Sequence, residues 1–452
     1  MKLPESFVER LYAELPTEAE ALLEKISEAK PPVSIRLNTA KAGQLNLPLG
    51  KKVPWTDTAY YLTERPVFTL DPAFHAGAYY VQEASSMFLE QVVKQLPQIN
   101  SILDLCAAPG GKSTLLLGCL PDDGVLLANE ILPNRAAVLA ENLTKWGDSR
   151  VLVTNNKPAD FMKTALQFDL VVCDAPCSGE GLFRRDPEAM KEWSAGSPAK
   201  CALRQQEIVA TAMQLVKPGG FFIYSTCTYA VAENEAIVHE LLEAGSLPGN
   251  VDVDAAWGFI DSADLGLTRL RNCMYRAMPH RVNGEGFFLA VLHKPVEEEG
   301  CAKIIKMPTF RITDSNVPFF DAGILSKFMI VRIKDNQFAW TEAVKGIFER
   351  SGGKLHYLKT GIKLGKWQGS VFVPDHEAAI LDETITDVSI VSLAKEEALW
   401  YLSRLPFFIR QATIGWQIVS FDGHKLGWIQ QLADESRNCY PQAWRIRMSL
   451  PA

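Results

Sequence analysis

Residues 101–120 read SILDLCAAPGGKSTLLLGCL: an apolar run, a Pro-Gly turn, then a stretch with helical spacing. The unit recurs in GVLLANE followed by LPNRAAVLAENLTKW, in RVLVTNN, in FDLVVCDAP followed by a helical pattern near Ala199 to Val216, and in GGFFIYSTC followed by AVAENEAIVHELLEA. Strands that are apolar along their length and alternate with helices imply a parallel sheet covered on both faces. The spacing therefore predicts a doubly wound α/β domain. In such sheets ligands sit at the carboxyl ends of the strands, and those ends are CAAPGGK, NE, DAPCSGEG and STCTY. RLRNCMYRAMP and GFFLAVLHK, either side of a turn at His280 to Gly286, predict an antiparallel hairpin closing the sheet.

The chain has 452 residues, too many for one ordinary core. Upstream, FVERLYAEL and TEAEALLEKISEA predict two amphipathic helices separated by Pro16; the strand SIRLNT, a loop-rich stretch and a helix at SSMFLEQVVKQL complete an N-terminal α+β appendage. Downstream, KPVEEEG around residue 297 predicts a linker. With 47% hydrophobic and 22% charged residues, a disordered or fibrous chain is excluded. The net charge of -7 argues against a nucleic-acid partner only if it is evenly spread. It is not: residues 301–452 hold 19 basic against 15 acidic residues, +4, and the first 300 carry -11. Within that tail, SGGKLHYLKTGIKLGKWQGS (351–370) carries Lys354, Lys359, Lys363 and Lys366 without an acid, interleaved with His356, Tyr357 and Trp367. Such a pattern neutralises phosphates and stacks bases, or else forms a solvated lysine face around a β core. Nine cysteines, an odd number with no C-x-x-C, make neither a disulfide framework nor a metal site and fit reduced thiols in a cytosol. The N-terminus has no apolar signal region, and no run of about 18 uncharged apolar residues occurs, so neither secretion nor a membrane span is expected.

Ala108-Pro109-Gly110-Gly111-Lys112-Ser113-Thr114 follows a strand and opens a helix, so free backbone N–H groups point above the sheet. GGKST resembles the end of a P-loop, but G-x-x-x-x-G-K-[ST] needs a glycine where this chain has Cys106, and G-x-G-x-x-G does not fit either. What remains is a loop that lets a backbone approach a ligand closely, with Glu130 at the end of the next strand, where a carboxylate accepts from both hydroxyls of a ribose. An adenosine-bearing ligand fits, and S-adenosylmethionine needs no phosphate cradle. Cys177 and Cys227 fall in polar strand-end loops, an arrangement for covalent catalysis. Cys119, Cys173, Cys201, Cys273, Cys301 and Cys439 read as small packing residues.

CAAPGGK, DAPCSGEG and STCTYAVAENE closely resemble, in order and spacing, the motifs of the Sun-type (NSUN) RNA 5-methylcytosine methyltransferases. YYVQEASSM and HRVNGEGFF are similar to that family as well, so the match runs from about Ser34 to Leu292. LKTGIKLGKWQGSVFVPDHEAA and GWIQQLADESRNCYPQAWRI resemble the PUA-like RNA-binding tail of its bacterial RsmF-like subgroup, which acts on small-subunit ribosomal RNA. The resemblance implies a Rossmann-like S-adenosylmethionine-dependent methyltransferase domain over 96–296. Around it stand an N-terminal RNA-binding appendage over 1–95, an intermediate module over 306–354 and a PUA-like RNA-binding domain over 355–452.

The resemblance also implies roles. Cys227 is the nucleophile that adds to carbon-6 of cytosine, and Cys177 assists removal of the carbon-5 proton and release of the adduct. Asp174 holds the cytosine edge beside the cofactor, and Lys112 orients or polarises the base. Cys106, Ala107, Ala108, Pro109, Gly110, Gly111 and Lys112 form the cofactor cradle, and Glu130 is the ribose contact. Arg135 is a further contact from the helix start, or else a surface residue pairing with a carboxylate. Where the family has an Asp reaching the adenine amine, this chain reads Asn155-Asn156-Lys157, and an Asn156 carbonyl still accepts that bond. Lys354, Lys359, Lys363, Lys366 and Trp367 are the tail's RNA-binding candidates. The implied substrate is 16S ribosomal RNA, met by a cytoplasmic monomer. The alternatives are a noncatalytic RNA-binding or assembly factor on the same fold, methylation of another RNA such as tRNA, and, more distantly, a P-loop NTPase.

Overall fold

The computed structural model describes residues 3–27, 30–41, 43–296, 308–313, 317–381, 388–409 and 412–450. Phe7 and Leu11 of the helix Glu5–Glu14, with its cap Leu15, repeat every four residues and so form one apolar stripe. The stripe meets Ala19, Leu22 and Ile26 of the helix Ala19–Ser27, together with Phe183, Trp193, Tyr229 and Met278 from further along the chain. A small antiparallel sheet follows: β1 (Ser34–Leu37), β2 (Leu49–Lys52), β3 (Ala59–Leu62) and β4 (Tyr79–Val81), in the order β2-β3-β1-β4.

The predicted doubly wound sheet comes next. β5 (Ser101–Asp104), β6 (Val125–Asn129), β7 (Val151–Thr154), β8 (Phe168–Asp174) and β9 (Val216–Thr226) run parallel. Side-chain alternation sorts their apolar residues onto two faces. Ile102, Leu126, Leu170 and Ile223 pack with the helices Gly111–Cys119 and Pro133–Trp146; Leu103, Leu127, Val171 and Phe222 pack with Ser197–Leu215 and Glu235–Glu243. Beyond β9 come the short β10 (Leu247–Pro248) and β11 (Ile260–Asp261), then β12 (Met274–Ala277) and β13 (Phe287–His293). The last two are the expected antiparallel hairpin, and β13 pairs antiparallel with β9. Because β5 lies between β6 and β8, the strand order reverses there, and the carboxyl ends of β5, β6, β8 and β9 open onto one crevice.

The C-terminal third departs from the expected division. β14 (Arg311–Ile312), β15 (Met329–Ile333), β16 (Asn336–Trp340), β18 (Ile362–Gln368) and β19 (Val371–Pro374) form a sheet in that order. The strand between them, β17 (Tyr357–Thr360), leaves that sheet and pairs antiparallel with β7, Thr360 opposite Leu152, so it becomes the last strand of the catalytic sheet. The boundary expected between residues 354 and 355 falls within the segment in which β14, β15, β16, β18 and β19 share one sheet up to residue 374. Charge grouped residues 351–370, but charge does not report which backbone edge a strand pairs with. A final sheet holds β20 (Ile390–Ser392), β21 (Gly415–Phe421), β22 (His424–Gln431) and β23 (Ser436–Asn438). It returns to the N-terminal unit, where Gln44 N–H donates to Asp422 O at 2.9 Å. The expected linker from residue 297 onward and Cys301 lie outside the described residues. Among the described residues, no helix is long and apolar enough to cross a membrane.

Candidate active site

The chain leaves β5 at Asp104 and turns into the helix Gly111–Cys119. Gly110 has φ 114°, and a Cβ there would press on Leu139 Cδ1 at 3.3 Å, so the turn needs its glycine. The first intrahelical bond runs from Thr114 N–H to Gly110 O at 2.9 Å, which leaves the N–H groups of Gly111, Lys112 and Ser113 without an intrahelical acceptor. Ser113 Oγ donates to Asp104 Oδ2 at 2.6 Å, while Asp104 Oδ1 is buried with no hydrogen-bond partner. Burial pushes this carboxyl up to about 7, against the Ser113 bond. An orphaned acceptor beneath a ring of N–H donors fits a ligand bearing both an amino and a carboxylate group, as S-adenosylmethionine does. Cys106 contributes backbone here, and its side chain packs against the core cluster that holds the buried Cys173. Ala107 N–H donates to Asn129 O at 2.8 Å.

Glu130 is buried at the end of β6, and its carboxylate accepts from Leu132 N–H at 2.9 Å. Arg135 adopts the carboxylate-pairing alternative: Nη1 lies 3.5 Å from Glu130 Oε2, and Nη2 donates to Ala108 O at 2.7 Å. It thus ties the cradle, including Pro109, to the Glu130 wall. Asn129, missed as a single residue although its strand end was marked, laces three strand ends. Its Nδ2 donates to Leu105 O at 3.2 Å and Asn156 O at 3.0 Å, and its Oδ1 accepts from Thr154 Oγ1 at 3.0 Å. The Asn156 side-chain carbonyl already accepts from His356 N–H at 2.9 Å, and Asn155 N–H donates to His356 O at 3.0 Å. The acceptor foreseen for adenine is therefore engaged by the residue preceding β17.

At the ends of β8 and β9 the remaining candidates converge. Lys112 Nζ lies 2.8 Å from Asp174 Oδ2, Ser225 Oγ donates to Asp174 Oδ1 at 2.8 Å, and the ammonium sits 5.2 Å from the centre of the Phe287 ring. Burial works against the Lys112 charge, but Asp174 outweighs it and holds the ammonium above its ordinary range. Cys177 Sγ and Cys227 Sγ are 3.3 Å apart, and Cys227 N–H donates to Cys177 Sγ at 3.4 Å. The bond shared with Cys227, reinforced by burial, pushes the Cys177 thiol well up. A Cβ on Gly181 would fall 2.6 Å from Gly286 O and 2.8 Å from Cys227 O, which is why the Cys177 loop can lie so close against Cys227.

The tail candidates do not form one surface. Lys359 is buried, ion-paired with Glu377 and donating to Gly361 O at 2.7 Å, so it offers nothing to a phosphate; this corrects its reading as an RNA contact. Its place on a buried edge strand is the reason. Lys363 pairs with Asp375 at 2.8 Å, and Trp367 packs edge-on against Phe372 with ring centres 5.2 Å apart. Lys354 and Lys366 are exposed.

Three sequence families match the chain: 16S rRNA methyltransferase RsmB/F over residues 92–293, the N-terminal domain of 16S rRNA methyltransferase RsmF over 3–84, and the methyltransferase RsmF PUA domain over 388–446. The ribosomal RNA small subunit methyltransferase F of Aeromonas hydrophila is 30% identical over 469 residues, covering 97% of each chain. Its namesake from Escherichia coli is 30% identical over 440 residues, 90% of this chain and 89% of the relative. A methyltransferase homologue from Pyrococcus horikoshii superposes with a TM-score of 0.52 at 26% identity, over 64% of this chain and 94% of that one. NSun6 from the same organism, solved with SFG, shares the fold with a TM-score of 0.55 at 20% identity, over 65% and 99%. With a cradle shaped for an aminoacyl ligand, paired thiols beside it and matches at both ends as well as the centre, this chain belongs to the RsmF family of RNA methyltransferases that use S-adenosylmethionine.

Proposed function

We propose that the protein methylates carbon-5 of cytosine in small-subunit ribosomal RNA through a covalent cysteine-cytosine adduct. The observation that carries this reading is the pair of sulfurs 3.3 Å apart, at neighbouring strand ends, beside the Lys112–Asp174 pair. Carbon-5 of cytosine is a poor nucleophile until a thiolate adds at carbon-6. Cys227 is assigned as the adding group, with Cys177 Sγ in hydrogen-bond contact with it. Addition forms the sulfur–carbon-6 bond and moves electron density to carbon-5. Release passes the carbon-5 proton to the Cys177 sulfur, which has first given its own proton to solvent, restores the ring double bond and returns the electron pair to Cys227 sulfur. Asp174, oriented by Ser225 and Lys112, is placed to accept from the exocyclic amine of the base.

Gly111, Lys112 and Ser113 N–H, Asp104 and Glu130 would hold S-adenosylmethionine. When bound, it supplies an electrophilic methyl group. The target must be presented as a flipped or single-stranded base. The same proposal places the enzyme in a reducing cytoplasm as a monomer; Cys106, Cys119, Cys173, Cys177, Cys201, Cys227, Cys273 and Cys439 are all free. It also gives the N-terminal unit and the final sheet to RNA binding. The direct test is mapping 5-methylcytosine in ribosomal RNA from a deletion strain against its parent. Loss of one or more 16S positions is expected, and identical maps would reject the assignment.

The corrected tail gives a contrast. Lys366→Glu should weaken RNA binding about threefold or more and lower the salt slope by about one, as for loss of a phosphate contact. Lys359→Met should leave RNA affinity unchanged and destabilise by about 3–5 kcal/mol, because Glu377 is left buried and unpaired. Binding titrations at several salt concentrations, with urea unfolding, separate the two.

A further inference from the structure

The segment Glu233-Asn234-Glu235 follows the Cys227 loop, and all three side chains are fully buried. A run of three buried polar residues, two of them acids, costs stability unless each is heavily bonded. Glu235 pairs with Arg276. The other two serve neither the core nor the cofactor. Glu233 Oε1 accepts from Ser178 N–H at 2.8 Å and from Gln205 Nε2 at 3.2 Å, and Oε2 accepts from Ser178 Oγ at 2.5 Å and Thr228 Oγ1 at 3.1 Å. Ser178 and Thr228 are the residues immediately after Cys177 and Cys227. Asn234 grips the same loop from its other side: Oδ1 accepts from Thr226 Oγ1 at 2.6 Å, and Nδ2 donates to Thr228 O at 2.9 Å. Residues flanking both thiols are thus fastened to one short turn, which is itself anchored by Tyr224 OH donating to Glu233 O at 2.7 Å.

We infer that Glu233, assisted by Asn234, is the positioning residue that sets the distance between the Cys177 and Cys227 sulfurs. This rests on the roles proposed above for those thiols. The two cysteines come from different loops, and among the described residues Glu233 is the side chain that bonds to the residue following each of them. Without it, the loops keep their strands, the Ser178 Oγ–Thr228 Oγ1 contact at 2.9 Å and the Gly181 N–H to Cys227 O bond at 2.8 Å, but lose the carboxylate that gathers both hydroxyls, and the sulfurs drift from the spacing at which one thiol can donate to the other.

The test is the rate at which diamide closes a Cys177–Cys227 disulfide in the full-length protein, read by thiol loss and peptide mass mapping. In that reaction two electrons and two protons pass from the thiols to the diazene. Glu233→Ala should slow closure at least about tenfold and lower kcat about 100-fold, the effect of a displacement near 1 Å, with RNA KM and cofactor affinity within about twofold. Glu233→Gln keeps the shape, and the Ser178 and Thr228 hydroxyls can accept from its amide, so both rates should stay within about threefold of the parent. Closure at the parental rate in Glu233→Ala overturns the inference, as does an unchanged kcat. If Glu233→Ala does not fold, Ser178→Ala decides, since the carboxylate keeps its other bonds: about a fivefold slower closure supports the inference, and a parental rate overturns it. Disulfide closure needs neither RNA nor cofactor, so it stays readable if the cytosine assignment fails. A parent protein that methylates cytosine while Glu233→Ala closes normally would sink the positioning role alone.

Discussion

Cys227→Ala is expected to reduce methyl transfer to RNA by about three orders of magnitude or more, because in the proposed mechanism the step it removes creates the carbon nucleophile. Cys177→Ala is expected to differ in kind. Cys227 can still add to the base, but the thiol 3.3 Å away that would take the proton and favour release is gone. A covalent protein–RNA adduct should therefore accumulate and migrate as a retarded band on a denaturing gel. Asymmetry between the variants is the prediction, and it follows from the separate roles proposed for the two thiols. Normal methylation by Cys227→Ala, or adduct formation by that variant instead, would sink the assignment.

The second large effect is on stability. Arg276 and Glu235 are both almost wholly buried: Nε and Nη2 of Arg276 meet the carboxylate at 2.7 and 2.5 Å, Nη1 donates to Tyr229 O at 2.8 Å, and Ser262 Oγ donates to the same carboxylate at 2.6 Å. Removing one partner of such a pair leaves an uncompensated buried charge. Arg276→Ala should thus destabilise by about 3–5 kcal/mol and lower the Tm of the catalytic unit by roughly 10 °C. The Tyr229 carbonyl loses its donor at the same time, and Tyr229 is two residues from Cys227, so activity should fall even below the melting range. Calorimetry of the full chain checks this; a Tm within 2 °C of the parent would contradict it.

Much of the catalytic sheet was legible because its strands are apolar end to end and each is punctuated by glycine, proline or a polar cluster. The hairpin β12–β13 was legible for the same reason. At the site, Cys177 and Cys227 were legible from their strand-end loops, whereas Asp174 and Lys112 were brought to the site by the family resemblance. Residues that act from beneath were harder to read. Nothing in the bare sequence marks Asp104 as an orphaned acceptor or Asn129 as a lace between strands, because a polar residue at a strand end is as often a turn residue. Lys359 shows the opposite failure: a charge run looked like surface, yet one of its lysines had been recruited to a buried edge strand, a choice made by backbone pairing partners just over two hundred residues away. Arg135 lay between these cases, since the exposed-pair alternative was on the page from the start.

That edge strand has a consequence for how the protein is made. β7 is finished at Thr154, whereas β17 begins at Tyr357. At a synthesis rate of roughly 5–20 residues per second, the VLVT edge waits about 10–40 s for the strand that covers it. Throughout that time a nascent chain presents a largely apolar strand with open N–H and C=O groups, a template for pairing with any other chain. The enzyme's birth should then depend on chaperone cover between about residues 160 and 360, and release of chains truncated within that window should give aggregation rather than a smaller working methyltransferase. Protease sensitivity of ribosome-stalled chains at residues 300 and 420 would show whether the edge closes when β17 emerges.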